Sequence, residues 1–188
     1  MKNLVLVLGT LFFCSSLLHA SNTSQRRHRS QNHYSRHSAQ PLDGKTLNGL
    51  ISKNNDQKVE NFISRLTDSQ RENILNCRLK HGFSPLHNLL RYKKVNIEIL
   101  RLLLENGADP NATLEDTVNS HGCFYKGWTP VHIAVRRHSE TEIFNLLYQH
   151  GGNFLAEDSD GWTPQKVAAH ENNKTALDWM REKSLIQN

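Results

Sequence analysis

The sequence predicts an all-α solenoid of about four helix-turn-helix repeats, and three observations support this prediction. A segment of Gly, an aromatic residue, Ser or Thr, and Pro occurs three times, at 82–85, 127–130 and 161–164. The second and third copies are 34 residues apart, and the first and second are 45 apart. Leucine-rich stretches that end in Gly follow two copies, at 99–107 and 143–151. Self-similarity at such a period indicates stacked repeats.

Each repeated segment carries the chemistry of a helix start or a helix end. Ser or Thr before Pro supplies an N-cap oxygen, and Pro suits the first helical position. Gly107 and Gly151 stand where a helix ends in a left-handed turn. The apolar residues between them recur at three- and four-residue spacing, as in Leu86, Leu89 and Leu90 and in Ile99, Leu102 and Leu103. One helix pair cannot bury such faces alone, so we expect neighbouring repeats to share a core.

These segments resemble the ankyrin-repeat family. The family pattern is Gly-x-Thr-Pro-Leu-His-x-Ala, followed by a second helix that ends in Leu-Leu-x-x-Gly-Ala-Asp-x-Asn. Residues 127–134 and 99–111 follow it closely, and the resemblance covers 41–188, most securely 79–183. It implies a scaffold that contacts a partner through its hairpin tips and first helices. It also implies that His87 and His132 tie a helix start to the adjoining loop instead of binding metal.

The repeats divide the rest of the chain into predicted segments. A degenerate first repeat or cap is expected at 41–78, repeats at 79–113 and 126–157, and a C-terminal repeat or cap at 158–188. The longer first interval predicts an inserted loop at 114–125. Residues 1–20 predict a secretory signal peptide, because a basic start precedes an apolar run of about 15 residues, too short to span a bilayer. Residues 21–40 contain four Arg and no acidic residue, which predicts a disordered basic tail.

The sequence predicts a binding protein, with an enzyme or a regulator of an envelope enzyme as a distant alternative. It contains no phosphate-binding loop, nucleophile elbow or paired-cysteine metal motif. We therefore expect no catalytic residue, cofactor, metal, small-molecule substrate or specific nucleic acid. Aromatic and arginine side chains on the concave and hairpin face favour a protein partner, because interface hot spots are enriched in them. The predicted contact residues are Phe83, Arg91, Tyr92, Phe124, Tyr125, Trp128, Arg136, Arg137 and Trp162.

Several interpretations stay open at the level of sequence. The aromatic residue after each signature Gly also suits packing across its own hairpin, and the inserted loop is either a binding element or a tolerated insertion. The tail is either a solvated spacer or a weak contact for anions; its arginines are Arg26, Arg27, Arg29 and Arg36. The signal peptide predicts a bacterial-type periplasmic or secreted protein, with an effector that engages a host protein as the alternative.

The cysteines allow one disulfide. Cys77 and Cys123 fall in neighbouring loops, which a solenoid separates by more than the roughly 7 Å that a disulfide permits between Cα atoms. The bond forms only if the inserted loop folds back towards the preceding hairpin. Otherwise both residues stay free thiols.

Overall fold

The computed structural model describes residues 42–115, 124 and 126–187. These residues form nine α-helices and a short 3-10 turn at Lys80–Gly82. The helices are α1 (Gly44–Ser52), α2 (Asp56–Ile63), α3 (Asp68–Leu75), α4 (Pro85–Arg91), α5 (Ile97–Glu105), α6 (Pro130–Arg137), α7 (Thr141–Gln149), α8 (Pro164–His170) and α9 (Lys174–Glu182). None of them is long and apolar enough to cross a membrane. The predicted signal peptide and tail lie outside the described residues.

Four helix pairs stack in two layers. Helices α1, α4, α6 and α8 lie side by side in that order and form the first-helix layer. Helices α2, α5, α7 and α9 form the second-helix layer in the same order. Both layers contribute buried apolar side chains to one core, including Leu86, Leu90, Ile99, Leu103 and Leu147. The predicted all-α solenoid of about four repeats is confirmed.

The helix boundaries confirm the predicted capping chemistry. Ser84, Thr129 and Thr163 are the N-caps of α4, α6 and α8, and Pro follows each of them. Gly107 and Gly151 follow the ends of α5 and α7 with φ of +94° and +82°. Glycine adopts this left-handed conformation without the steric cost that a side chain adds. The same local chemistry therefore sets the repeat length.

Helix α3 is an element that the sequence analysis missed. Its N-cap is Thr67, whose side chain accepts from the backbone of Gln70 while the Gln70 side chain accepts from the backbone of Thr67. This reciprocal arrangement is a capping box, a signal that the sequence does contain. The helix is short and mostly polar, and only its last two residues, Ile74 and Leu75, are buried. It lies against α1 and lengthens the first repeat.

A tight backbone hairpin precedes α4, α6 and α8. The closing hydrogen bonds run from Leu79 N to Phe83 O (2.8 Å), from Leu114 N to Trp128 O (2.9 Å) and from Asp158 N to Trp162 O (2.9 Å). Three residues lie inside the first and third hairpins, whereas thirteen lie inside the second. The predicted insertion therefore falls between the residues that close the second hairpin. Of its residues, the structure describes Leu114, Glu115 and Phe124.

Candidate functional site

Three aromatic side chains stack beneath the hairpins. The ring centroid of Phe124 lies 5.6 Å from that of Phe83 and 5.9 Å from that of Trp128, with interplanar angles of 89° and 80°. Edge-to-face contacts of this kind add to the stabilisation from burial. We call Phe83, Phe124 and Trp128 the aromatic ladder. It joins two neighbouring hairpins through a residue that the insertion supplies.

Burial changes the role of the ladder residues. The sequence analysis placed Phe83, Phe124 and Trp128 among the partner contacts, but each is at most 3% exposed. The Trp128 indole is also held from the next hairpin, because its Nε1 donates to Asp158 Oδ2 at 2.8 Å. The rings are covered because the insertion returns Phe124 between its two neighbours. The ladder is therefore covered by other side chains and is not itself a contact surface.

Three guanidinium groups lie over the aromatic ladder. The guanidinium carbon of Arg91 is 4.4 Å from the Phe83 centroid and 5.5 Å from that of Phe124. The corresponding carbon of Arg136 is 5.8 Å from Phe124 and 5.6 Å from Trp128. That of Arg137 is 5.1 Å from Phe124. All these distances suit cation–π attraction. We call Arg91, Arg136 and Arg137 the arginine cluster.

Helix geometry explains how the arginines reach the ladder. Arg91 ends α4, and Arg136 and Arg137 end α6, whereas the ladder residues lie near the helix starts. Side chains on a helix point back towards its N-terminus. Because α4 has seven residues and α6 has eight, a long arginine at the last turn spans most of the helix. Because the first helices are short, arginine side chains at their ends reach the aromatic ladder near their starts, on one face.

The arginine cluster carries more positive charge than its surroundings neutralise. Arg136 Nε donates to Glu171 Oε1 at 3.0 Å. Arg91 donates to Asn88 Oδ1 at 3.0 Å, and Arg137 donates to the carbonyl of Arg91 at 3.3 Å. In the described part of the chain, no carboxylate oxygen lies within 4.0 Å of the Arg91 or Arg137 guanidinium. Burial lowers the pKa of Arg137, and the charges of Arg136 and Arg91 lower it further.

Two grooves flank the cluster. The first, which we call the N-terminal groove, has a volume of about 790 Å³ and includes Lys45, Lys80, Arg91 and Asp43 in its lining. The second, the C-terminal groove, has a volume of about 330 Å³. Its lining includes Trp128, Arg136, Asp158, Asp160, Trp162 and Glu171. Each groove contains one member of the arginine cluster, so the cluster connects them.

The remaining predicted contact residues are not all part of this site. Trp162 is 39% exposed at the C-terminal groove, where its ring meets the edge of His170. Tyr92 is exposed to the same extent but lines a separate depression beside Lys93 and Lys94. Tyr125 lies outside the described residues. The site therefore gathers the arginines and Trp162, and leaves Tyr92 apart.

The structure describes only one of the two cysteines in the predicted disulfide. Cys77 is a half-buried free thiol in the N-terminal groove, and its Sγ lies against the backbone of Gly44. Burial raises the pKa of this thiol, and the nearby Asp43 charge raises it further. Cys123 lies outside the described residues, so its pairing with Cys77 stays a prediction.

His87 and His132 are scaffold residues, as the resemblance implied. The backbone N–H of Ser84 donates to His87 Nδ1 at 3.2 Å, which leaves Nε2 as the donor to Trp128 O at 3.3 Å. His132 repeats this arrangement with Thr129 and with the carbonyl of Trp162. Burial lowers the pKa of His87 to about 3, so the ring is neutral at pH 7. Among the described residues, no group of three metal-binding side chains is found.

Sequence reasoning also missed the side chains that join the far ends of the first helices. His138 Nε2 donates to the carbonyl of Leu90 at 2.7 Å, across the boundary between α4 and α6. Asn173 Nδ2 donates to the carbonyls of Val135 and His138, both at 2.6 Å, across the next boundary. These bonds satisfy helix carbonyls that lack partners within their own helix. The sequence does contain a signal for these bonds, because His138 and Asn173 stand just after first helices in successive repeats.

Two layers of paired helices, joined by hairpins and carrying a charged face, define a helical-repeat scaffold. Residues 86–148 match the family model described as ankyrin repeats (many copies). The chain is similar to "Ankyrin repeat and SOCS box protein 3" of Homo sapiens, with 32% identity over 135 residues, 59% of this chain and 26% of that protein. The same-named protein of Bos taurus is 33% identical over 122 residues, 52% of this chain and 23% of its own. Residues 86–148 are therefore identified as ankyrin repeats, and both relatives are ankyrin-repeat proteins by name.

The similarity to these relatives concerns only the part of each relative that this chain matches. The chain spans about a quarter of the length of these curated relatives. Ankyrin repeats generally mediate protein–protein interaction, and the family is typically non-catalytic. The part that this chain shares with them is thus of a type that generally mediates protein–protein interaction.

Proposed function

We propose that the protein is a non-catalytic module that binds a partner protein through the face formed by its hairpins and first-helix layer. The observation that carries this proposal is the arginine cluster over the aromatic ladder. Two of its guanidinium groups, those of Arg91 and Arg137, have no carboxylate within 4.0 Å in the described residues. Partly desolvated charge of this kind is stabilised when a partner supplies the missing hydrogen-bond acceptors.

The extent of the face favours a macromolecular partner. The cluster and its two flanking grooves run across the first-helix layer from α1 to α8. Stable protein interfaces cover about 800 Å² on each partner, with a few arginine and aromatic residues at their centre. Arg137 and Trp162 are exposed at this face. The surface thus offers central anchors together with surrounding contact area.

We also propose that the protein is exported to the periplasm or secreted, with a host-directed effector as the second destination. This proposal rests on the apolar run at 4–18 and the small residue Ala20 that follows it. Cell fractionation followed by mass spectrometry of the purified N-terminus tests it. A chain that begins after Ala20 supports export, whereas an intact Met1 in a cytoplasmic fraction contradicts it.

A quantitative pull-down tests the binding face. Wild-type protein is compared with Arg136→Glu/Arg137→Glu on envelope and host-cell lysates. The matched control is Arg101→Glu/Arg181→Glu, which makes the same charge change in the second-helix layer, where the two side chains are 38% and 40% exposed. Far-ultraviolet circular dichroism verifies that all three proteins are folded.

The expected result is a set of proteins enriched by wild type and by the control but lost with the face variant. Equal enrichment by the face variant would place the binding surface elsewhere. Loss with both double variants would show that charge alone, and not this face, controls capture.

A further inference from the structure

One member of the arginine cluster, Arg136, already has an ion-pair partner, and this partner indicates which chemical group the face accepts. Arg136 lies over Phe124 and Trp128 and donates through Nε to the carboxylate of Glu171 at 3.0 Å. Arg91 and Arg137 lie over the same Phe124 ring at 5.5 and 5.1 Å. They have the same aromatic base but lack the carboxylate in the described residues. The Arg136–Glu171 pair therefore indicates that the other two guanidinium groups would bind a carboxylate.

Positive charge continues from these two arginines into the N-terminal groove. Lys45 and Lys80 line this groove with Arg91, and neither lysine has an ion pair within the described ranges. Arg78 is also in the lining, but it is already engaged by the carbonyls of Gly82 and Thr113 and by the Glu115 carboxylate at 3.8 Å. Asp43 is the one acidic residue among the lining residues. A ligand that lies along this groove and reaches Arg137 would meet mainly positive charge.

The sign of the charge reverses on the other side of the cluster. The lining of the C-terminal groove includes three carboxylates, from Asp158, Asp160 and Glu171, and a single arginine, Arg136. A long polyanion such as DNA carries one charge per ~1.7 Å of helix axis and would meet these carboxylates. A protein segment need not, because its acidic residues can form a short run. The reversal thus favours a peptide over a nucleic acid or an extended anionic surface.

The aromatic base holds the guanidinium groups ready for such a ligand. Cation–π contacts fix Arg91 at 4.4 Å and Arg137 at 5.1 Å from their rings, so little side-chain freedom remains to be lost on binding. A fixed planar guanidinium accepts a carboxylate through two parallel N–H···O bonds. Partial removal from water strengthens that attraction.

We propose that Arg91, Arg137 and the N-terminal groove bind a short run of Asp or Glu side chains in the partner protein. This inference rests on the proposed function and names the chemistry of the partner at the same face. The acidic run lies over the arginine cluster and extends towards Lys45 and Lys80. It ends before the C-terminal groove, where Asp158, Asp160 and Glu171 would repel it.

Fluorescence anisotropy with a labelled hexa-aspartate peptide tests the proposal on the chain without residues 1–20. Hexa-asparagine is the neutral control of nearly the same shape. Arg91→Gln/Arg137→Gln removes the two arginines, and Arg101→Gln/Arg181→Gln removes two charges from the second-helix layer. A variant with Gln at the four tail arginines separates attraction by the tail from binding at the face. Single-stranded DNA and vesicles with anionic headgroups are measured in parallel.

We expect Arg91→Gln/Arg137→Gln to weaken hexa-aspartate binding roughly tenfold or more, because two charge-assisted contacts are lost. The second-helix-layer control and the tail variant should stay within about twofold of wild type at 0.15 M salt, where exposed charges are largely screened. Arg137→Gln alone, at an exposed position outside the core, should weaken binding roughly threefold. This single variant keeps the test valid if the double variant does not fold.

Three results would overturn the proposal. Hexa-asparagine could bind as tightly as hexa-aspartate, or the double variant could bind hexa-aspartate as well as wild type does. DNA or anionic vesicles could bind more tightly than the peptide through the same two arginines. In each case the pull-down comparison still decides the proposed function, because it does not depend on the acidity of the partner.

Discussion

Replacement of Phe124 by Ala tests whether the end of the inserted loop belongs to the core. Phe124 is 1% exposed, and its ring contacts Phe83 and Trp128. Truncation of a buried Phe to Ala costs about 3–5 kcal/mol through lost transfer energy and the cavity that remains. We expect a loss near the middle of that range, because the rings on both sides are held by their own hairpins. For a domain of this size, it corresponds to a fall in melting temperature of roughly 10 °C.

Urea denaturation followed by circular dichroism measures this change. Phe124→Leu keeps most of the apolar volume and should cost about 1 kcal/mol. Leu155→Ala is the surface control, since Leu155 is 55% exposed and its truncation should change stability by less than about 0.5 kcal/mol. Phe124→Ala should also weaken hexa-aspartate binding, because Arg137 loses the ring beneath it and Arg91 loses one of its two ring contacts.

The reasoning about the aromatic ladder would be refuted by a loss below about 1 kcal/mol for Phe124→Ala, because a cavity of this size in a packed core costs more. Such a result would mean that the insertion passes over the repeats without entering the core. Binding of hexa-aspartate that is unchanged in a folded Phe124→Ala protein would refute the role of the ladder as a base.

Three further predictions concern the scaffold. Gly127→Ala should cost about 2 kcal/mol or more in unfolding free energy, because φ is +87° and the new Cβ would lie 2.8 Å from Ser159 N. Gly107→Ala, with open space around the new Cβ, should cost about 1 kcal/mol. Equal losses of the two variants in urea denaturation would contradict the clash at Gly127. The pKa of His87, about 3 when folded against about 6.5 when unfolded, means that the unfolded chain takes up the proton first as pH falls. Stability present above pH 6.5 should therefore decrease by about 2 kcal/mol at pH 5, and an unfolding free energy equal at pH 7 and 5 would disprove this. Removal of residues 21–40, which have no aliphatic residue larger than Ala, should leave the helix signal and melting temperature unchanged; a fall above about 3 °C would contradict it.

Local chemistry made the scaffold predictable. The Ser or Thr before Pro, the left-handed Gly after α5 and α7 and the three- and four-residue apolar spacing each act within a few residues. They therefore appear in the sequence wherever a helix begins, ends or packs. Helix α3 shows the limit of this reasoning, because its capping box is equally local but buries only Ile74 and Leu75. A short polar helix with two buried residues has too weak an apolar periodicity to be predicted from the sequence.

The candidate site depended on contacts between repeats. Nothing in the sequence indicated that Phe124 would lie between Phe83 and Trp128, because the length of an inserted loop does not determine where its end lies. It placed Arg91, Arg136 and Arg137 on one face but could not show which of them has a carboxylate. Glu171, which accepts from Arg136, comes from the following repeat and carries no motif.

The sequence by itself determined that this protein is a stack of paired helices with ankyrin-type signatures, and which residues start and end most of its helices. Only the tertiary structure decided that Phe83, Phe124 and Trp128 are buried. It alone also decided that Arg91 and Arg137 lie above these rings without a carboxylate in the described residues. The physical reason is range. Capping and helix periodicity are set by neighbours along the chain. The side-chain contacts between repeats come from residues 30 to 50 positions away: Arg136 pairs with the Glu171 carboxylate, and Arg137 donates to the carbonyl of Arg91.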